Sequence, residues 1–258
     1  GASKANSAIL HTGFDAPPGS LELACMQRGY AEYLAIHEQL NLPLLETGAV
    51  VVAWNDDEAE ALDAIRARAH LNGVDDVRAI TSQELSAREP ELARDAVAAL
   101  WVPGEHVIDP WSAPLAYLTQ AVANGAEVRR GCEVEGGRFD GARWRLETTA
   151  GAVEAGAVVN AAGLFGDHVE TRLLGASAFT IRPRKGQFVI FDKAAAQLLA
   201  TTVRPVPSER TKGVVLARTA FGNLLVGPTA EEQDDRERAR VESDALAALV
   251  QRAVRMLP

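Results

Sequence analysis

The sequence predicts a mixed α/β fold, in part α+β, with helices set against short and largely antiparallel strands. Three observations predict it. Apolar residues recur at helical spacing in several capped segments. Short β-branched runs stand between them, such as Thr47-Gly48-Ala49-Val50-Val51-Val52-Ala53-Trp54. Residues 127–160 then read as successive strands separated by turn residues, a three-stranded meander.

At 258 residues, with 47% apolar, the chain is long enough for one large domain or two modest ones with a sizeable core. A net charge of −9 argues against nucleic acid or an anionic membrane surface as partner. A local basic cluster still suits a small anion. Cys25 and Cys132 stand far apart without metal-type spacing, so no metal and a reduced, cytoplasmic compartment are expected. No apolar run reaches the roughly 18 residues of a membrane helix. There is no secretory leader and no initiator Met. Gly1-Ala2-Ser3-Lys4 opens on loop-like residues and 250–258 stops just after a helix, so a fragment of a longer chain is expected.

In order, residues 1–19 form a loop dense in polar side chains, with a short apolar piece Ala8-Ile9-Leu10. Ser20 caps a helix reaching about residue 40, with Glu22 in its first turn. Residues 47–54 are a strand, and Asn55 or Asp56 caps a helix to about residue 71. Thr81-Ser82-Gln83-Glu84 is a capping box for a short helix that ends before Pro90. Residues 98–102 are a strand, 112–123 a helix stopped by Asn124-Gly125. Strands follow at 127–134, 144–149 and 153–160, with Asp140-Gly141 as a hairpin turn. Residues 181–191 are strand-like, and 214–218 with 224–226 form a hairpin. A charge-rich helix start at 234–242 leads into a last helix with Leu246, Leu249, Val250, Ala253 and Leu257 on its apolar stripe.

Three places suit chemistry. Ala157-Val158-Val159-Asn160-Ala161-Ala162-Gly163 reads as a buried strand ending in small residues before a helix from 167 to 174. Such an end admits a ligand close to the backbone and offers it free N–H groups. A tight crossover with small residues for packing explains it equally well. The polar loop of residues 3–12 suits a ligand site or a solvated loop. Arg182, Arg184 and Lys185 beside Gly186 suit a phosphate or carboxylate, or a guarded strand edge. His37, and His106 with Asp109, are read as structural.

Ser3-Lys4-Ala5-Asn6-Ser7-Ala8-Ile9-Leu10-His11-Thr12-Gly13 resembles the flavin-proximal loop of the FAD-dependent glycerol-3-phosphate dehydrogenases and L-2-hydroxyglutarate oxidases, in the D-amino-acid-oxidase-like superfamily. Val158-Val159-Asn160-Ala161-Ala162-Gly163 resembles that superfamily's second FAD segment. Arg184-Lys185-Gly186-Gln187-Phe188 and Leu224-Leu225-Val226-Gly227-Pro228-Thr229 resemble two substrate-side stretches. The matches run in family order over nearly the whole chain. The family's opening strand and G-x-G-x-x-G turn have no counterpart here, and its final flavin-contacting segment is missing too. The chain as given is therefore expected to bind FAD weakly or not at all.

The resemblance implies a partial FAD-binding, Rossmann-like domain at 1–40 and 104–175. It implies a substrate-binding domain with a mixed, largely antiparallel sheet at 41–103 and 176–258. The implied reaction is oxidation of a small anionic secondary alcohol by hydride transfer to flavin, glycerol 3-phosphate first and a 2-hydroxy acid second. Quinone or oxygen would be the electron acceptor. Asn6, Ser7, Thr12 and Gly13 would line the flavin ring. His11 would hydrogen-bond the flavin, the preferred role, or act as base. Val134 would meet the adenine through its backbone, and Ala161, Ala162 and Gly163 would face the adenosine–pyrophosphate part. Arg184 and Lys185 would bind the substrate anion, with Thr229 nearby. A cytoplasmic protein, peripheral to the inner membrane when full length, is implied. Two alternatives stand: an amine or amino-acid oxidase of the same superfamily, and a non-catalytic core fragment or binding module.

Overall fold

A computed structural model describes residues 1–208 and 213–258. Its regular elements are β1 (Ile9–Leu10), α1 (Leu21–Ile36), β2 (Leu44–Leu45), β3 (Ala49–Ala53), α2 (Asp56–Leu71), β4 (Arg78–Ile80), α3 (Ser82–Arg88), β5 (Ala98–Val102), β6 (His106–Ile108) and α4 (Ser112–Ala123). There follow β7 (Val134–Phe139), β8 (Trp144–Thr148), β9 (Gly151–Ala155), α5 (Gly166–Leu174), β10 (Arg184–Lys185), β11 (Val189–Phe191), β12 (Thr202–Pro205), β13 (Val215–Arg218), β14 (Leu224–Gly227), β15 (Glu231–Glu232) and α6 (Ser243–Met256). The mixed α/β class, the meander and the largely antiparallel sheet are as expected. No helix among the described residues is long and apolar enough to cross a membrane.

The chain divides into two compact units. One comprises Gly1–Ala2, Tyr117–Lys185 and Glu231–Arg240; the other comprises Ser3–Ala116, Gly186–Ala230 and Val241–Pro258. This division by compactness runs differently from the expected division by ligand, because residues 3–40 fold with 41–103.

The larger unit is organised by a seven-stranded sheet of order β11-β14-β13-β12-β3-β5-β4. Only β12 and β3 pair in parallel, with Val203 opposite Val50 and Arg204 opposite Val51. Alternation along β3 sends Val50 and Val52 to one face and Val51 to the other. The first face packs with Leu216, Leu224 and Val226 beside Leu249, Ala253 and Met256 of α6. The second packs Val51 and Leu100 against Leu62, Ile65 and Ala69 of α2. Ser20, Asn55 and Thr81 cap α1, α2 and α3 as their sequence positions demand, and the Thr81–Glu84 capping box is complete. A small sheet of order β1-β6-β2 completes the unit.

In the smaller unit β7, β8 and β9 form the meander, and Asp140 Oδ1 closes its first turn by accepting from the amides of Ala142 and Arg143. Helix α5 lies so close to β7 that a Cβ on Gly137 would come within 2.8 Å of Leu173 Cδ2. Helix α4 begins in the larger unit and ends in the smaller one, and none of its residues is buried.

Four sequence expectations are corrected. Residues 127–133 form no strand, and pairing begins only at Val134. The run 157–160 is not a buried strand: no described strand offers it a ladder, and Val159 is 88% exposed. Residues 181–191 split into β10 and β11, which pair with different partners. Residues 234–242 are not helical, because Asp235 Oδ1 accepts from the amides of Glu237 and Arg238 in a local turn that competes with a helix. Strand β12 has no counterpart in the sequence reading, since Thr202-Val203-Arg204-Pro205 carries a charge and a proline.

Gly48 has φ +62°, and a Cβ there would lie 2.0 Å from Trp101 Cη2. Gly48→Ala is expected to lose about 2 kcal/mol or more, from backbone strain plus the clash. A urea-unfolding midpoint measured beside that of the wild type checks this.

Candidate functional site

The register of two short strands builds the first site. Antiparallel pairing sets Leu10 opposite His106, so the residue after β1 meets the residue before β6. Those residues are His11 and Glu105. The His11 Nδ1–H donates to Glu105 Oε2 at 2.7 Å. The backbone N–H and hydroxyl of Thr12 both donate to Glu105 Oε1, at 2.8 and 3.0 Å. Arg204 Nη1 reaches Oε2 at 3.1 Å from β12. Glu105 is fully buried. Burial pushes its pKa up, but the His11 and Arg204 charges and the Thr12 amide outweigh this and hold the carboxyl below its ordinary value.

Arg204 is itself divided between two anions, with Nη2 on Asp15 Oδ2 at 2.9 Å, and its guanidinium lies 5.0 Å from the Phe14 ring centroid. The loop that carries these groups is held from both sides. Asn6 Oδ1 accepts from the Ala8 amide at its start. Asn72 Nδ2, at the end of α2, donates to the carbonyls of Gly13 and Ala16. Gly13 has φ +88°, and a Cβ there would approach Leu23 Cδ1 to 2.7 Å, so this turn requires glycine. The His11 side chain remains 27% exposed, and Nε2 has no partner among the described residues.

The second site lies in the smaller unit. Asn160 Nδ2 donates to the Gly166 carbonyl, Asn160 Oδ1 accepts from the Ala162 amide, and a 3-10 turn at Gly163–Phe165 leads into α5. Gly163 has φ +58° with open space where a side chain would stand. A cavity of about 640 Å³ is lined by Cys132, Val134, Ala162, Phe165, His168 and Arg172, among others. Val134 and Ala162, 28 positions apart in the chain, thus share one cavity of the size that small-molecule sites occupy. The Val134 carbonyl accepts from Arg172 Nη1 at 2.7 Å, and the same cation pairs with Glu133. A carbonyl oxygen keeps a second lone pair for a ligand. The cavity wall thus carries a strand-edge carbonyl and a small residue. Ala161 and Gly163 flank Ala162 without lining the cavity.

With this geometry in view, the relatives are informative. The sequence profile of the DAO family, described as FAD dependent oxidoreductase, matches residues 1–258. The chain belongs to this family. A glycerol 3-phosphate dehydrogenase of Caloramator mitchellensis is 30% identical over 99% of the chain and 54% of that protein. An L-2-hydroxyglutarate dehydrogenase of Indibacter alkaliphilus is 29% identical over 87% of the chain and 57% of that protein. Among solved structures, the dithionite-reduced L-alpha-glycerophosphate oxidase of Mycoplasma pneumoniae, with FAD bound, superposes with a TM-score of 0.90 at 26% identity. That match covers 99% of this chain and 68% of the solved one. The chain thus spans little more than half the length of some curated relatives it matches.

For a DAO family member, the remaining sequence candidates have plain positions. Arg184 pairs with Glu232 and Lys185 Nζ with Glu231 Oε2 at 3.3 Å, each across the β10–β15 ladder. Lys185 is buried. In the larger unit, Thr229 Oγ1 accepts from the Gln187 amide at 3.0 Å. His106 and Asp109 stay structural. Asp109 accepts from the Trp111 amide and the Ser112 hydroxyl at the start of α4, and His106 stacks on Tyr30. Sequence reasoning missed Glu105, Arg204 and Asp15. The available signal was a lone Glu between Gly104 and His106, and an Arg inside an apolar stretch.

One further ion pair anchors the smaller unit. Asp167 Oδ1 and Oδ2 accept from Arg236, and Asp167 also accepts from the amides of His168 and Ile181. The Arg236 guanidinium and these amides hold the Asp167 carboxyl far below the usual carboxylate range. A depressed carboxyl stabilises the fold fully above the unfolded value, about pH 4, and that contribution drains as pH falls further. Asp167→Asn is therefore expected to narrow the gap between urea midpoints at pH 7 and pH 3. Equal gaps in variant and wild type would contradict this.

Proposed function

We propose that this chain is the catalytic part of an FAD-dependent oxidoreductase that oxidises a small anionic secondary alcohol to the ketone. Glycerol 3-phosphate is the first candidate substrate and a 2-hydroxy acid the second. The observation that carries the reading is the His11 imidazole, tied at Nδ1 to a buried carboxylate with Nε2 left to face a ligand. The similarity to glycerol 3-phosphate and L-2-hydroxyglutarate dehydrogenases supports the substrate class.

When bound, FAD supplies the hydride acceptor. This chain's residues supply proton transfer and placement. A carboxylate accepts only, so the neutral ring carries its proton on Nδ1 and its lone pair on Nε2. That lone pair takes the hydroxyl proton of the substrate. Asn6, Ser7, Thr12 and Gly13 would hold the flavin ring. Val134, Ala161, Ala162 and Gly163 hold the adenosine side. Arg184 and Lys185 would bind the substrate anion in competition with Glu232 and Glu231, and Thr229 is the substrate-side candidate of the larger unit. The acceptor that reoxidises the cofactor is quinone or oxygen, and the enzyme works in the cytoplasm, peripheral to the inner membrane.

In the full-length, flavin-loaded enzyme, His11→Gln is expected to keep the visible flavin spectrum and lose about 10²–10⁴-fold in kcat, the range a positioned base contributes. Lys185→Ala is expected to raise KM for glycerol 3-phosphate more than it lowers kcat. Steady-state kinetics with a dye acceptor reads both. Unchanged turnover in His11→Gln overturns the base, and unchanged KM in Lys185→Ala overturns the anion grip.

A further inference from the structure

We propose that Glu105 is a positioning residue for proton transfer at His11, a role that rests on the reading of His11 as base. The carboxylate has no freedom to turn. Oε1 is held by two donors of Thr12, and Oε2 is shared by His11 and Arg204. Its direction is therefore fixed by two chain segments distant from it in sequence, residues 11–12 and Arg204. The imidazole bound to it is fixed in turn, both in ring orientation and in tautomer.

Charge points the same way. Arg204 divides its guanidinium between Glu105 and Asp15, so a proton gained by His11 lies against a carboxylate that Arg204 does not hold alone. The hydroxyl O–H bond breaks, its electron pair stays on oxygen, and the Nε2–H bond forms beside an anion already in place. No reorganisation is needed at that moment. The groups facing Glu105 are His11 and Thr12 after β1, Arg204 on β12, and Tyr30 on α1, whose hydroxyl is pushed above its ordinary pKa by burial and then by Glu105 and Asp76. Arg204 alone among them carries a permanent positive charge. Its second bond, to Asp15, keeps it from cancelling Glu105 outright.

The first test needs no variant. Nitrogen-15 NMR of labelled histidine in the wild-type protein is expected to show neutral His11 protonated on Nδ1. A ring protonated on Nε2 overturns the proposal. The second test uses the flavin-loaded enzyme. Glu105→Gln is expected to lower kcat about 10²-fold with KM and flavin absorbance kept, and to move the acidic limb of the pH–rate profile to lower pH. Glu105→Asp is expected to restore part of the rate. A Glu105→Gln enzyme with unmoved kcat and pH profile overturns the positioning role, whatever its melting temperature, because a purely structural carboxylate would behave so. His11→Gln keeps the two claims apart. Retained turnover there defeats the base itself, whereas lost turnover there with normal Glu105→Gln kinetics defeats only the positioning.

Discussion

A carboxylate with no solvent access survives in a protein only when donors surround it, since an unpaired buried charge costs several kcal/mol. Glu105 meets that condition with four donors drawn from two distant parts of the chain: His11 and Thr12 in the loop after β1, and Arg204 on strand β12. Each donor is placed by something else. The β1–β6 register brings His11 to it, and the parallel pairing of β12 with β3 brings Arg204. Removal of the carboxylate would leave Arg204 with Asp15 alone and His11 with no anchor. The loop, the small sheet and the central strand of the large sheet are tied together at this one point.

The large sheet serves that arrangement by being covered on both faces. Helix α6 seals one face, and α2 seals the other over β3 and β5. Arg204 points to the same face as Val51 and Phe14, where the α2 packing gives way to the polar loop. The buried aliphatic stem and the Phe14 ring let a guanidinium sit there, since arginine packs its planar face on aromatic rings more readily than a hydrated ammonium would. The His11–Glu105–Arg204 group thus sits at the border of an apolar core, where every charge needs a partner.

The smaller unit follows a different economy. Its cavity is walled by the meander and α5, and its irregular segments are tied down by side chains rather than by ladders: Asn160 on Gly166, Asp167 on Ile181, Arg236 on Asp167. Val134 and Ala162, singled out by family resemblance, share that cavity. The conformation of 157–162 was not legible in the sequence. An apolar β-branched run becomes a strand only beside another strand's edge, and that neighbour is not written in the run itself.

Local chemistry decided much of the molecule in advance. Ser20, Asn55 and Thr81 cap their helices, Asp140-Gly141 turns the meander, and the periodicity of 47–54 and 98–102 yields strands, because these depend on residues within a few positions of one another. His11 was singled out because its loop resembles a flavin-proximal one. Only the tertiary structure decided its partner. Glu105 lies 94 positions away and Arg204 a further 99, and β12 carries a proline and a charge that mask it as a strand. Pairing across such separations is set by sheet order and register, which arise from the packing of the whole chain and leave no mark on the neighbouring residues.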